Sequence, residues 1–238
     1  MARTHDDWKV LPHGSLTPVG DDVLTVVGDI AMPFGTLPRR MTVVRLDGRR
    51  LVVFSAIALA EDAMRELAAF GTPRFLIVPN AHHRMDAPAW KRRFPDLTVV
   101  ASEGARAGVA KVVGVDTTRP DFGDPRVAFE AVPGTRQREA ALAVRSPGGA
   151  TLVLNDIVAN IRNATGAFGV FLRLMGFAGD EPHVPLPVRL AMVSDRKALA
   201  AAFRRWADQP LDRILVSHGD VIDRDPQGVL RRLAAAHA

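Results

Sequence analysis

Short β-branched runs and helix-spaced apolar positions follow one another along the chain, with strands gathered ahead of helices in each half. VLTVVG (23–28), MTVVRL (41–46) and LVVF (51–54) predict strands, the last two joined as a hairpin by the LDGR turn at 46–49. LAEDAMRELAAFG (59–71) carries apolar residues at helical spacing and a closing Gly71, so it predicts a helix. RFLIVPN (74–80) is a short apolar run stopped by Pro79 and predicts a buried strand. A short helix at 88–94, a strand at 97–102 and a small helix near 103–110 come next. Beyond a Gly/Pro/Asp-rich connection at 114–125, RVAFEAV (126–132) and AALAVRS (140–146) predict paired strands, and GGATLVLND (148–156) a further one. A helical region is expected over about 157–176, then a Pro-rich loop at 181–187, a helix at 195–207, the strand DRILVSHGD at 212–220 and a last helix at 225–236. That order suggests an α/β protein with two sheets face to face and helices outside.

Composition narrows the class. The 238 residues contain no Gly/Ser/Pro-rich linker between separate periodic regions, which predicts one domain spanning 1–238. Net charge is +5, but the basic residues fall in short clusters without interleaved aromatics, so the chain lacks a nucleic-acid signature. With no cysteine there is no disulfide, thiolate ligand or cysteine nucleophile. The first thirty residues have no apolar h-region, and a cytoplasmic protein without a membrane partner is expected. The apolar stretch GAFGVFLRLMGFAG (166–179) is too short and too interrupted to span a bilayer. Phe168, Phe171, Leu174, Met175 and Phe177 there suit a pocket wall, but core packing of a helix accounts for them without a ligand and is the preferred expectation.

Polar groups able to bind metal stand where three apolar strands end, in RFLIVPNAHH, TLVLND and ILVSHGD. Loops leaving the carboxyl ends of strands hold their backbone rigidly while side chains converge, so His82, His83, Asp156 and His218 are candidates for one site. Imidazoles and a carboxylate suit Zn²⁺, Mn²⁺ or Fe²⁺. Asp156 also fits the N-cap of a helix starting near Ile157, and Asp86 that of the helix containing Trp90, the role favoured for it. His183 is expected to be a solvated loop residue, and His5, His13 and His237 to be irrelevant. No G-x-S-x-G elbow, phosphate loop or dinucleotide fingerprint is present.

The segments MTVVRLDGRRLVVFSAIAL (41–59), PNAHHRMDAPAWKRRFPDLTV (79–99), TLVLNDIVANI (151–161) and ILVSHGDVI (214–222) resemble the metallo-β-lactamase fold superfamily, and within it the DUF4336 family. The resemblance covers nearly the whole chain and implies a four-layer αββα sandwich with the site at one edge, between the sheets. It places Asp156 at the superfamily's bridging aspartate and His218 at its late histidine. The first motif, H-x-H-x-D-H, survives in part: with His82 first, Asp86 matches the aspartate, while Arg84 and Ala87 replace histidines. Thr135 and Arg136 stand where a middle histidine belongs. A dinuclear set is therefore incomplete, whereas one divalent metal on His82 or His83, Asp156 and His218 is allowed, with Asp86 a further candidate ligand. Asp86 and Asp220 are candidates to orient ligands or move a proton. Arg84 or Arg136, facing the pocket, would repel a cation and pair with Asp156 or Asp86. The resemblance implies a metal-dependent hydrolase of a small ester, lactone, thioester or phosphoester. The alternative is a metal-free scaffold that binds a small molecule or a protein. A nuclease of the same fold ranks last.

Overall fold

The protein is described from a computed structural model, which describes residues 4–32, 35–146 and 149–238. One sheet has six strands in chain order: β1 (Thr17–Gly20), β2 (Val23–Met32), β3 (Gly35–Arg45), β4 (Arg50–Phe54), β5 (Thr72–Ile77) and β6 (Thr98–Val100). The second runs β10 (Arg213–Gly219), β9 (Gly149–Asn160), β8 (Ala140–Ser146) and β7 (Val127–Ala131). β4 to β6 are parallel, as are β9 and β10. Both parallel sets point their carboxyl ends toward the same region, which later holds the site.

Side-chain alternation along the strands builds the layers. Val44, Val52, Ile77 and Val100 of the first sheet meet Leu142, Val144, Val153 and Leu215 of the second, forming the core between the sheets. Their neighbours Val43, Val53, Leu76 and Val99 point the other way, under α1 (Glu61–Phe70), α2 (Ala87–Arg93) and α3 (Glu103–Val109). On the outer face of the second sheet Leu152, Leu154, Ile214 and Val216 pack against Phe203 and Trp206 of α6 (Arg196–Ala207) and Leu230 and Leu233 of α7 (Pro226–Ala235). Two apolar faces per sheet require cover on both sides, and the outcome is the expected αββα sandwich. At the edge away from the site, Arg126 gathers Asp22, Asp47 and Asp124 into one ion cluster that ties β7 to the turns of the first sheet.

Several elements differ from the sequence expectation. The chain opens with β1, and β2 and β3 form a hairpin longer than the runs 23–28 and 41–46 suggest. β9 runs to Asn160, so residues 157–160 are strand and the helix predicted from 157 is limited to α4 (Gly166–Leu174). The segment Ile157–Asn160 is buried and continues beside β10, so a two-sided apolar surface and a ladder partner outweigh its helical spacing. The Pro-rich loop closes earlier than expected, because α5 (Leu186–Ala191) starts with Pro187 in its first turn. Residue 148 of the expected strand 148–156 lies outside the described residues. Core packing does not account for α4 as expected: Phe171, Leu174 and Met175 are exposed, and Phe168 and Phe177 only half-buried.

Candidate metal centre

Three of the four residues expected to hold a metal come together. His83 lies in the loop after β5, Asp156 in β9 and His218 near the end of β10. Nε2 of His83 is 2.9 Å from Oδ1 of Asp156 and 3.2 Å from Nε2 of His218, and the Asp156 and His218 atoms are 3.2 Å apart. His82 does not join them: its side chain is exposed, and only its backbone N–H is engaged, donating to Asn80. Adjacent residues in this loop face opposite ways, so only one of the histidine pair enters the site.

A distortion of β9 delivers Asp156. Between the pairs Leu154–Val216 and Ala159–His218, β9 advances five residues while β10 advances two. The surplus bulges, and bulges beside functional sites re-aim side chains out of the ordinary alternation. Asp156 is therefore a strand residue, and the helix cap expected for it does not exist.

Each ligand atom is aimed by a partner on its far side. His218 donates through Nδ1 to the carbonyl of Pro38 in β3 at 2.7 Å, which leaves Nε2 free of that role. Ser55 Oγ lies 2.9 Å from Nδ1 of His83. Ser55 follows β4 with φ of 57°, a left-handed conformation that a residue with a side chain adopts at a cost, and here it turns the hydroxyl toward the ring. The amide of Asn80 fixes the rest: Nδ2 donates to Asp156 Oδ2 (2.7 Å) and Glu139 Oε2 (2.9 Å), while Oδ1 accepts from the backbone N–H of His82 and His83. Glu139, fully buried before β8, accepts the backbone N–H of Asp156 at 3.1 Å. Asn80, Ser55 and Glu139 went unrecognised in the sequence. Asn80 alone had a signal there, an asparagine two residues before a histidine pair, as an Asx turn requires.

Burial and charge set the protonation states. Burial would lift the Asp156 carboxyl, but the charges and hydrogen bonds of His83 and His218 hold it well below the usual carboxylate range. Glu139 goes the other way: burial, then the Asp156 charge, push it well above that range. Burial draws His83 below its ordinary value despite Asp156. His218 loses some basicity to burial, yet its hydrogen bond and attraction to Asp156 raise it overall.

The remaining candidates lie outside the triad. Asp86 occupies the N-cap position of α2, but its side chain does not cap the helix. Its carboxylate is fully buried against Arg39 (2.6 Å) and His5 (2.8 Å), so His5 has a structural role not expected of it. Asp220 is exposed beyond the end of β10. Neither arginine expected to oppose a cation does so: Arg84 donates to the carbonyl of Gly108, and Arg136 is exposed. Arg39 is the cation felt by both ring systems, and Asp86 pairs with it. His183 is half-buried and pairs through its backbone with Ala159, so it is not a solvated loop residue.

The donor set fits one divalent cation. Ligand atoms about 2.0–2.1 Å from a tetrahedral ion lie about 3.3 Å from one another, close to the 2.9–3.2 Å seen here. Two imidazoles and one carboxylate make three protein ligands, the number found at catalytic zinc sites, where structural sites use four. Second-sphere partners on both Nδ1 atoms and on Oδ2 are what metal-ligating side chains usually have.

Solved structures share this architecture. The metallo-β-lactamase FIM-1 from Pseudomonas aeruginosa in its mono-zinc form is 12% identical, covers 96% of this chain and 97% of its own, and superposes with a TM-score of 0.63. A metallo-β-lactamase from Erythrobacter litoralis is 12% identical over 93% of this chain and 96% of its own, with a TM-score of 0.64. Another, from Hirschia baltica, is 11% identical over 94% and 98%, with a TM-score of 0.59. No family model matches the sequence, and no curated protein does. The chain therefore has the metallo-β-lactamase fold, and at these identities the likeness extends to fold alone. Among the described residues, no helix is long and apolar enough to cross a membrane.

Proposed function

We propose that the protein is a metal-dependent hydrolase of the DUF4336 type, using one divalent ion held by His83, Asp156 and His218. The observation that carries this reading is the convergence of three ligand atoms whose far sides are already fixed by Ser55, Asn80 and Pro38. When bound, a divalent cation supplies Lewis acidity, polarising a carbonyl or phosphoryl oxygen and acidifying water at neutral pH. Asp156 stays anionic and directs Oδ1 into the site because Asn80 occupies Oδ2. His83 stays neutral and available as a ligand because burial disfavours its imidazolium. Side-chain exposures of 7–12% across the triad restrict solvent access, which strengthens electrostatic interactions inside. Small esters, lactones, thioesters and phosphoesters are the substrate classes, and zinc, manganese and iron the candidate metals.

The metal-free scaffold is the second reading, favoured by the fact that the three groups also satisfy one another as hydrogen bonds. Metal analysis of protein purified without chelator separates the two. The hydrolase reading expects near-stoichiometric Zn, Mn or Fe, absent from Asp156→Ala and His218→Ala, with matching loss of ester hydrolysis. Wild-type protein that carries no metal, and whose melting temperature does not rise with Zn²⁺ or Mn²⁺, leaves the scaffold.

A further inference from the structure

α4 is a surface helix that is apolar on both faces, with Arg173 its single polar side chain. A helix apolar all round is ordinarily buried. Here Val170, Phe171, Leu174 and the following Met175 face outward, and Leu186 and Leu190 of α5 extend the patch, with Leu186 lying against Gly176. Six of the nine large apolar side chains exposed among the described residues thus lie in this one region. The inner face of α4 anchors to a small cluster of Ile161, Leu172 and Ala178 that is separate from the main cores. Gly166 and Gly176, at φ of 69° and 68°, bound the helix with turns that only glycine adopts freely.

Beneath α4 lies a cleft of about 470 Å³, within the size range of small-molecule sites. Val27, Ile161, Phe168 and Leu172 form an apolar wall, and Arg40 and Arg162 bring positive charge. Arg40 is 7% exposed, yet it bonds only neutral acceptors: the carbonyls of Val216 and Gly219 and the hydroxyl of Thr25. A guanidinium has five donor hydrogens, so three partners leave two available. Arg162 stands exposed at the rim, bonded to the Asn160 side-chain oxygen. Asp220 is the single acid in the lining; its charge raises the basicity of Arg40, though not enough to offset the effect of burial, and no direct bond joins it to Arg40 or Arg162. Pro38 and Gly219, the residue that accepts from His218 and the residue that follows it, also line the cleft, and Gly219 accepts from Arg40.

We infer that this cleft binds a single-chain amphiphilic anion, with its alkyl chain on the α4 wall and its carboxylate or phosphate head toward Arg40 and Arg162. Apolar wall and cationic end lie in one cavity, and the cavity meets the backbone that holds His218, so the head is delivered to the edge of the metal centre. The inference rests on the proposed hydrolase only in making this ligand a substrate; binding stands independently of turnover.

Calorimetric titration with alkanoates and alkyl phosphates of four to twelve carbons, each below its micelle threshold, tests it. Affinity should rise by up to about fourfold per methylene until the wall is filled. A neutral alkyl glucoside of equal chain length should bind at least tenfold more weakly, and the stronger of the two anionic series identifies the head group. Val27→Asp and Arg162→Glu, both at exposed positions, should each weaken decyl phosphate or decanoate by tenfold or more, and Leu190→Ser should not. Affinity independent of chain length, or unchanged in Val27→Asp, overturns the inference. So does binding only to anionic vesicles, which makes the patch a lipid-docking surface, or a dimer broken by Phe171→Asp, which makes it a contact between copies. Repeating the titration with Asp156→Asn separates the two proposals. Binding retained there, with no metal in wild-type protein and no hydrolysis by it of alkyl esters, lactones, thioesters or phosphoesters, sinks the hydrolase and leaves the amphiphile site.

Discussion

The candidate metal centre and the α4 region invert the usual distribution of polar and apolar groups in opposite senses. At the centre, ionisable side chains are buried, and each has a defined partner drawn from a rigid strand end. Around α4, large apolar side chains are exposed, and the helix is fixed to the body by a small separate cluster. Buried polar groups with complete partners hold a geometry, because any rearrangement leaves a donor or acceptor unmet. Exposed apolar groups hold no geometry of their own and gain free energy only when something covers them. On the two proposals above, the centre would supply the chemistry and the cleft beneath α4, rather than its exposed face, would admit the ligand.

The largest effect should come from breaking the centre itself. Asp156→Ala removes the shared anion, and metal content should drop from about one ion per chain to near none, read by mass spectrometry of the purified protein. Acid should mimic this, since imidazole protonation competes with metal. His218, whose basicity the neighbouring carboxylate raises, should set the onset, and a titration of metal retention should show release with proton uptake as pH falls.

Asn80→Ala should come next, at about 2–4 kcal/mol of stability by denaturant unfolding, because it strands Asp156, Glu139 and two backbone N–H groups at once. Metal affinity should fall with it by roughly 10–100-fold. A loss confined to stability would show that the loop does not need this amide to aim His83.

Glu139 offers a subtler break. Its folded state keeps a proton that the unfolded chain releases above the ordinary value of 4.5, so the stability it contributes declines as pH rises from there. Asp156 behaves in the opposite sense, contributing stability above its ordinary 3.8 that is lost in acid. His218 adds stability below 6.5 that fades as pH rises, and His83 offsets it by favouring the folded state above 6.5. Glu139→Gln removes one of these contributions, so the melting temperature of metal-free protein should fall less steeply, or rise more, as pH climbs above 4.5, whatever the substitution does to the absolute value. An unchanged slope assigns the loss elsewhere.

The smallest effect belongs to the outer face of α4. Phe171→Ser and Leu174→Ser should change unfolding free energy by no more than about 0.5 kcal/mol. Trp90→Ala, at a fully buried position, should cost about 3–5 kcal/mol in the same assay. A large loss from either serine variant would mean that this face is already covered by another copy of the chain.

Strand order, the two-sheet layering and the placement of candidate ligands at strand ends were legible in the sequence, because they follow from local alternation and apolar run length. The end of β9 was not, since its last residues follow helical spacing as readily as strand spacing until β10 lies beside them. The exposure of α4 was equally hidden, for an apolar sequence states that cover is wanted and not whether the chain supplies it.

At the site, the sequence by itself determined which residue types were available: two adjacent histidines, an aspartate ending an apolar run and a histidine before glycine. Tertiary structure decided which of them meet. It chose His83 over His82 through the Asn80 turn, moved Asp156 inward with a bulge, assigned Asp86 to Arg39, and recruited partners at separations from 28 residues, for Ser55 and His83, to 180, for Pro38 and His218. Contacts at such separations depend on how two sheets pack, and no local pattern of hydrophobic and polar positions encodes the angle at which side chains from both will converge.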